Sequence, residues 1–151
     1  MQRWIAAVVV TMMLLGGGGL YAYYVYKQNR PSPVWVPLPI KPELSNEKRD
    51  VLVNDLRMKL SKPEVLEQVS KDVGLTKKWR LASDAEGARE IGKRLFVQVG
   101  EADTPRGKVP SINIGVTGKR KERLVSNEIV MRLMDDVMKI LGIKAPPKPG
   151  A

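Results

Sequence analysis

Residues 96–117, FVQVGEADTPRGKVPSINIGVT, decide the fold. Val97 and Val99 alternate with Gln98, and Ile112, Ile114 and Val116 alternate with Asn113 and Gly115. A period of two puts every second side chain on one face, so both runs read as strands with one buried side. Pro105, Gly107 and Pro110 punctuate the 102–110 stretch, which reads as a loop. An antiparallel pair through that loop is the economical connection.

Helical periodicity flanks this pair. Leu52, Leu56 and Leu60 share one face of a helix over residues 45–60, with Val53 widening the stripe and Ser45 as N-cap. SKPEVLEQVSKDVGL, from Ser61, carries a capping-box pattern (Ser61, Glu64) with a proline in the first turn. Val65, Leu66, Val69 and Val73 form its buried stripe, and Gly74 supplies a left-handed stop. Ser83 and Glu86 repeat the capping pattern before a thin apolar face of Ala85, Ala88, Ile91 and Leu95, which predicts close packing. The last helix spans about 120–141, with Val130, Leu133, Met134, Val137 and Leu141 inward. Upstream, prolines at 31, 33, 37, 39 and 42 exclude a central strand; an edge strand paired over Val34 to Ile40, or a stiff extended spacer, fits. The fold class is therefore α+β: a small, mostly antiparallel sheet of about three strands with helices packed on one face.

Ahead of this domain lies Trp4 to Tyr26, 23 residues without a charge. As a helix it is about 35 Å long, against a hydrocarbon core of about 30 Å. Arg3 stands at one end, Lys27 and Arg30 at the other, and Tyr21, Tyr23, Tyr24 and Tyr26 crowd the far end. Tyrosine favours the membrane–water boundary, so the stretch reads as an uncleaved transmembrane helix. A cleaved signal peptide competes, with Ile5 to Leu15 as its apolar run. Bulky Tyr21, Tyr23 and Tyr24 occupy the positions where cleavage needs small residues, and there is no cysteine for a lipid anchor. Gly16, Gly17, Gly18 and Gly19 offer either a smooth face for another transmembrane helix or an apolar spacer or kink. The expected division is an anchor over 1–29, a domain over 30–143 and a proline-rich tail over 144–151.

The chain has 151 residues, with 26 Lys and Arg against 16 Asp and Glu. Only Arg3 precedes the anchor, so the remainder carries 25 basic and 16 acidic residues, a net +9. Such a surplus suits acidic partners. There is no histidine and no cysteine. The usual neutral-pH acid/base is missing, as are thiol chemistry and zinc–thiolate sites, which leaves carboxylate pairs or Ser/Lys arrangements. No carboxylate pair stands out, since the adjacent Asp135 and Asp136 point to different sides of a helix, and neither enzyme activity nor a cofactor or metal is expected. Lys77, Lys78 and Trp79 form a basic–aromatic turn, and Lys119, Arg120 and Lys121 a second basic turn. These six are the candidate contacts to an anionic partner. The second turn lacks the glycines and the Lys-Ser/Thr ending of a Walker loop.

The order of elements, with Ser61, Val65, Leu66, Val69, Gly74 and Leu75 followed by Trp79, resembles the Wzz-type polysaccharide chain-length determinants. So does INIGVTGKRKERLVSNEIVMRLMDDV, a strand leading into a helix in which Asn127 matches the family's asparagine. Pro146, Pro147 and Pro149 look like the family's proline-rich stretch before a second span. The second span, the long helical extension and the Asp-Pro after the last strand have no counterpart here. The resemblance implies a shortened, single-pass, self-associating relative on the outer face of a bacterial inner membrane. Its expected partners are membrane lipid, further copies of itself and a polysaccharide polymerase or other envelope membrane protein. Two other readings stand beside it: an interaction subunit of a secretion or envelope complex, and a membrane-tethered nucleic-acid binder, which ranks third, above an enzyme.

Overall fold

A computed structural model describes residues 18–105 and 107–143. Helical residues 18–29 lead directly into strand β1 (Pro31–Pro39). Helices α1 (Asn46–Leu60), α2 (Pro63–Val73), α3 (Leu75–Trp79) and α4 (Asp84–Arg94) follow. The hairpin β2 (Leu95–Thr104) and β3 (Gly107–Lys119) comes next, then a 3-10 turn (Arg120–Glu122) and α5 (Arg123–Ile140). The sheet order is β1-β3-β2, antiparallel throughout. The α+β class and the three-stranded antiparallel sheet thus agree with the sequence reading.

β3 is central, and its alternating Ile112, Ile114 and Val116 are the most deeply buried row of the sheet, whereas β1 is broken by prolines and Val99 of β2 is exposed. Its inward row faces Leu38, Val36 and Val34 of β1 on one side and Val97 and Leu95 of β2 on the other. Helix α5 covers β1 and β3, α1 covers β2, and α2 packs between α4 and α5. Leu56, Leu60, Leu66, Val69, Ile91, Ile129, Leu133 and Val137 close the core over the sheet. Burying each such side chain contributes about 1.5–3 kcal/mol.

The prolines of β1 fall where they cost no hydrogen bond. Ile40 donates to the Pro110 carbonyl at 3.0 Å and Arg120 to the Arg30 carbonyl at 3.1 Å. In this register the even-numbered residues of β1 face β3, so Pro31, Pro33, Pro37 and Pro39 point their nitrogens at the free edge. That edge presents few donors to another strand.

Several local expectations shift. The hairpin connection is much shorter than 102–110: Ala102 pairs with Val109 and Thr104 with Gly107, so most of that stretch is strand. Ser61 caps nothing at an N-terminus. Its N–H still bonds to Arg57 O, as the end of α1, and Lys62 is the residue before α2. The last helix begins at Arg123 rather than 120, because residues 120–122 wind more tightly. Ala85 is exposed, and Gly87, Ala88 and Ile91 form the buried face of α4 instead. Ser83 does cap α4, its Oγ accepting from Glu86 N–H, while the Glu86 carboxylate reaches back to Ala82 N–H. Gly74 ends α2 with φ 71°.

Most of the expected membrane span, Trp4–Tyr26, lies outside the described residues, as do Gly16, Gly17 and the tail 144–151. Among the described residues, no helix is long and apolar enough to cross a membrane. Gly18 and Gly19 are exposed, with open space around them.

A charged clasp joins α2 to α5. Arg132 Nε donates to Asp72 Oδ2 at 2.7 Å, Gln68 donates to Asp72 Oδ1 at 2.7 Å, and Arg132 Nη1 sits 2.8 Å from Asp136 Oδ1. Hydrogen bonding from Arg132 holds the Asp72 carboxyl below its ordinary value of 3.8, against the opposing effect of desolvation. A depressed folded pKa gives stability that is present above the unfolded value and lost as pH falls through the folded one. Asp72→Asn should therefore flatten the acid limb. Comparing urea midpoints at neutral and strongly acidic pH, the wild type should lose up to about 1 kcal/mol more than the variant. Equal losses would mean that the clasp does not respond to acid.

Candidate functional site

The fold brings Lys78, Trp79 and Lys121 from the two basic turns to one open cleft of about 460 Å³. Arg80, Glu86, Glu90, Arg94 and Glu122 complete its charged lining. The cleft exists because α3 is too short to continue past Trp79. Arg80 takes a left-handed conformation (φ 55°), and its N–H closes onto Thr76 O. The chain then turns into α4, whose last turn carries Arg94 back against Trp79.

Arg94 is the hub. Its guanidinium lies over the Trp79 ring, 4.5 Å from the centroid. Nη1 donates to Glu122 Oε2 at 2.9 Å and Nη2 to Glu90 Oε2 at 3.3 Å. Glu122 Oε2 also accepts from the Lys119 backbone N–H at 3.1 Å, so one arginine ties α3, α4 and the turn after β3 together. Lys93, bonded at 2.7 Å, is the main reason that the Glu90 carboxyl is held below the ordinary carboxylate range; Arg94 adds to this and desolvation opposes it. Glu90 is thus an anion at neutral pH and a poor proton carrier. The Trp79 indole Nε1 is buried with no acceptor among the described residues. Among the described residues there is also no group of three acidic, histidine or cysteine side chains able to hold a metal ion.

The six candidate residues do not form one basic surface. Lys78 is engaged by Glu128 of α5. Lys77, Lys119 and Arg120 are exposed but do not line the cleft. No protein-family model, curated protein or solved structure matches this chain. The site must therefore be read from its own geometry.

Sequence reasoning missed Arg94, Glu90 and Glu122. Each reads as a solvated helix-end charge, and only the tertiary fold makes them neighbours of Trp79. It also missed a second groove, of about 550 Å³, between the free edge of β1 and the start of α5. Pro33, Val34, Trp35, Arg123, Leu124 and Asn127 line it. Trp35 is 49% exposed and Leu124 83%, an unusual outlay of apolar surface for a domain edge.

Proposed function

We propose that this chain is a non-enzymatic, membrane-anchored, self-associating protein that assists surface-polysaccharide assembly or chain-length control. Its domain would lie on the outer face of a bacterial inner membrane. One observation carries the anchored part of the reading. Helical residues 18–29 expose Leu20, Tyr21, Tyr23, Tyr24 and Tyr26 at 60–74% each, with no face of the described residues covering them. An apolar and aromatic helix surface of this kind needs lipid or another protein around it. The uncharged run ahead of it, from Trp4, supplies the length for a span.

The polysaccharide part is supported by the Wzz-type resemblance of residues 61–79 and 112–137. Self-association is supported by the groove at Trp35, Leu124 and Asn127, beside an edge strand whose prolines disfavour simple strand addition. A second reading, an interaction subunit of another envelope complex, draws on that same exposed groove.

Two measurements test the proposal. The full chain should stay in the membrane fraction after alkaline and high-salt washing, and a chain lacking residues 1–26 should not. Loss of the gene should alter the length ladder of surface polysaccharide. A chain extracted by washing would refute the anchor, and an unchanged ladder with the anchor intact would transfer the protein to the second reading.

A further inference from the structure

The chain enters the sheet at the place where the sheet hands over to α5. Pro31 pairs with Lys119, and the Arg120 N–H donates to the Arg30 carbonyl at 3.1 Å. Lys121 shares a groove of about 420 Å³ with Tyr24, Val25, Gln28 and Asn29 of the helical segment. Two stretches far apart in sequence therefore meet at one level of the molecule. One brings Lys27 and Arg30; the other brings Lys119, Arg120, Lys121 and Arg123.

All six side chains are exposed. None forms an ion pair with another described residue, whereas Lys59, Lys78, Lys93, Arg94 and Arg132 each do. The carboxylate within the second stretch does not offset them, because Glu122 turns inward onto Arg94 and the Lys119 N–H. Arg30 also lies against the Tyr26 ring, 4.9 Å from its centroid. An arginine over a tyrosine suits the boundary where a ring meets lipid and a cation meets water.

We infer that these six residues form a basic collar that docks on anionic lipid headgroups around the point where the chain leaves the bilayer. The inference rests on the anchored reading above. Distance favours lipid over a soluble polymer. With Tyr26 at the boundary, Arg30 stands about 6 Å further along a helix. That is inside the roughly 8 Å over which charge acts at physiological salt. Lys119 and Arg120 are tied to Arg30 by the sheet, so the second stretch is held at the same height. A polyanion in solution would have to displace the bilayer to reach it. The collar would fix the orientation of the whole domain, since β1, β3 and α5 all end or begin there.

The chain contains no cysteine, so a single fluorophore can be placed at Leu124, beside the collar, through L124C. Full-length protein would be reconstituted into nanodiscs of phosphatidylcholine alone or mixed with phosphatidylglycerol, each with a headgroup-level spin-labelled quencher. Docking predicts strong quenching only in the anionic discs, reversed by high salt. Each basic residue near an anionic surface strengthens attachment about fivefold. The K119Q/R120Q/K121Q variant should therefore weaken docking by about a hundredfold, while K48Q/K62Q should leave it unchanged. Equal quenching in neutral and anionic discs, or equal loss in the two variants, overturns the collar while leaving the anchor standing. A chain that enters neither disc overturns the anchor and the collar with it.

Discussion

Gly115→Val should lower the stability of the domain by about 2–3 kcal/mol, a fall of about 10 °C in thermal midpoint. Gly115 lies on the outer face of the central strand, between Trp35 of β1 and Phe96 of β2. A Cβ built there would come within 2.3 Å of the Val34 carbonyl oxygen and 2.7 Å of both Trp35 Cβ and Phe96 Cζ. The Phe96 ring can swing away, but the Val34 carbonyl and the Trp35 Cβ are fixed by the backbone of the neighbouring strand. β1 would have to move, and its whole register with β3 would suffer. A valine ordinarily favours a strand, by less than about 1 kcal/mol, so the collision decides the sign. Phe96→Ala in the same background should recover only part of the loss, because it leaves the carbonyl and the Trp35 Cβ in place. Thermal unfolding followed by circular dichroism measures both. A Gly115→Val protein as stable as wild type would mean that β1 is not held tightly against β3.

That row of Trp35, Gly115 and Phe96 shows what the sequence could and could not disclose. The alternation of Ile112, Ile114 and Val116 is enough to place a strand, and the prolines of 31–39 are enough to exclude a central strand, leaving an edge strand or an extended spacer. Both are local rules, of period and of missing donors. The pairing of β1 with β3 is a long-range choice that neither rule contains, and it is what puts an aromatic residue on each side of Gly115. The 102–110 stretch misleads for the opposite reason. Proline and glycine there mark a tight hairpin bend, but the residues flanking the bend extend fully into the ladder. Ser61 misleads because the capping pattern is necessary, not sufficient: the preceding helix has already claimed its N–H. At the candidate cleft, Lys78 and Trp79 could be suspected from a basic–aromatic cluster. Arg94 could not, since its neighbours Trp79, Glu90 and Glu122 come from three separate elements. The same holds for the collar, where Arg30 and Arg120 are joined by a single backbone hydrogen bond.

The contact between α2 and α4 provides the second large effect, and a sharper test of packing. Ser70 is fully buried in α2, its Oγ donating to Asp84 at 3.3 Å. Gly87 of α4 lies directly against it: a Cβ at 87 would meet Ser70 Oγ at 2.0 Å and Ser70 Cβ at 2.9 Å. The hydroxyl could rotate away, but the Cβ cannot, so the helices would have to separate. Gly87→Val should cost about 2–3 kcal/mol, since valine gains little helix propensity to offset the clash. Ser70→Gly alone should cost about 1 kcal/mol, from the propensity of glycine in a helix interior. Combined, the two should cost less than their sum by at least about 1 kcal/mol, because removing the Ser70 side chain opens the space that the new side chain needs. Ser70→Ala should rescue less than Ser70→Gly, because its Cβ remains in the way. Urea denaturation of the four proteins gives the coupling directly. Costs that simply add would show that these two helices do not touch at this point, and with that the packing of α2 between α4 and α5 would have to be redrawn.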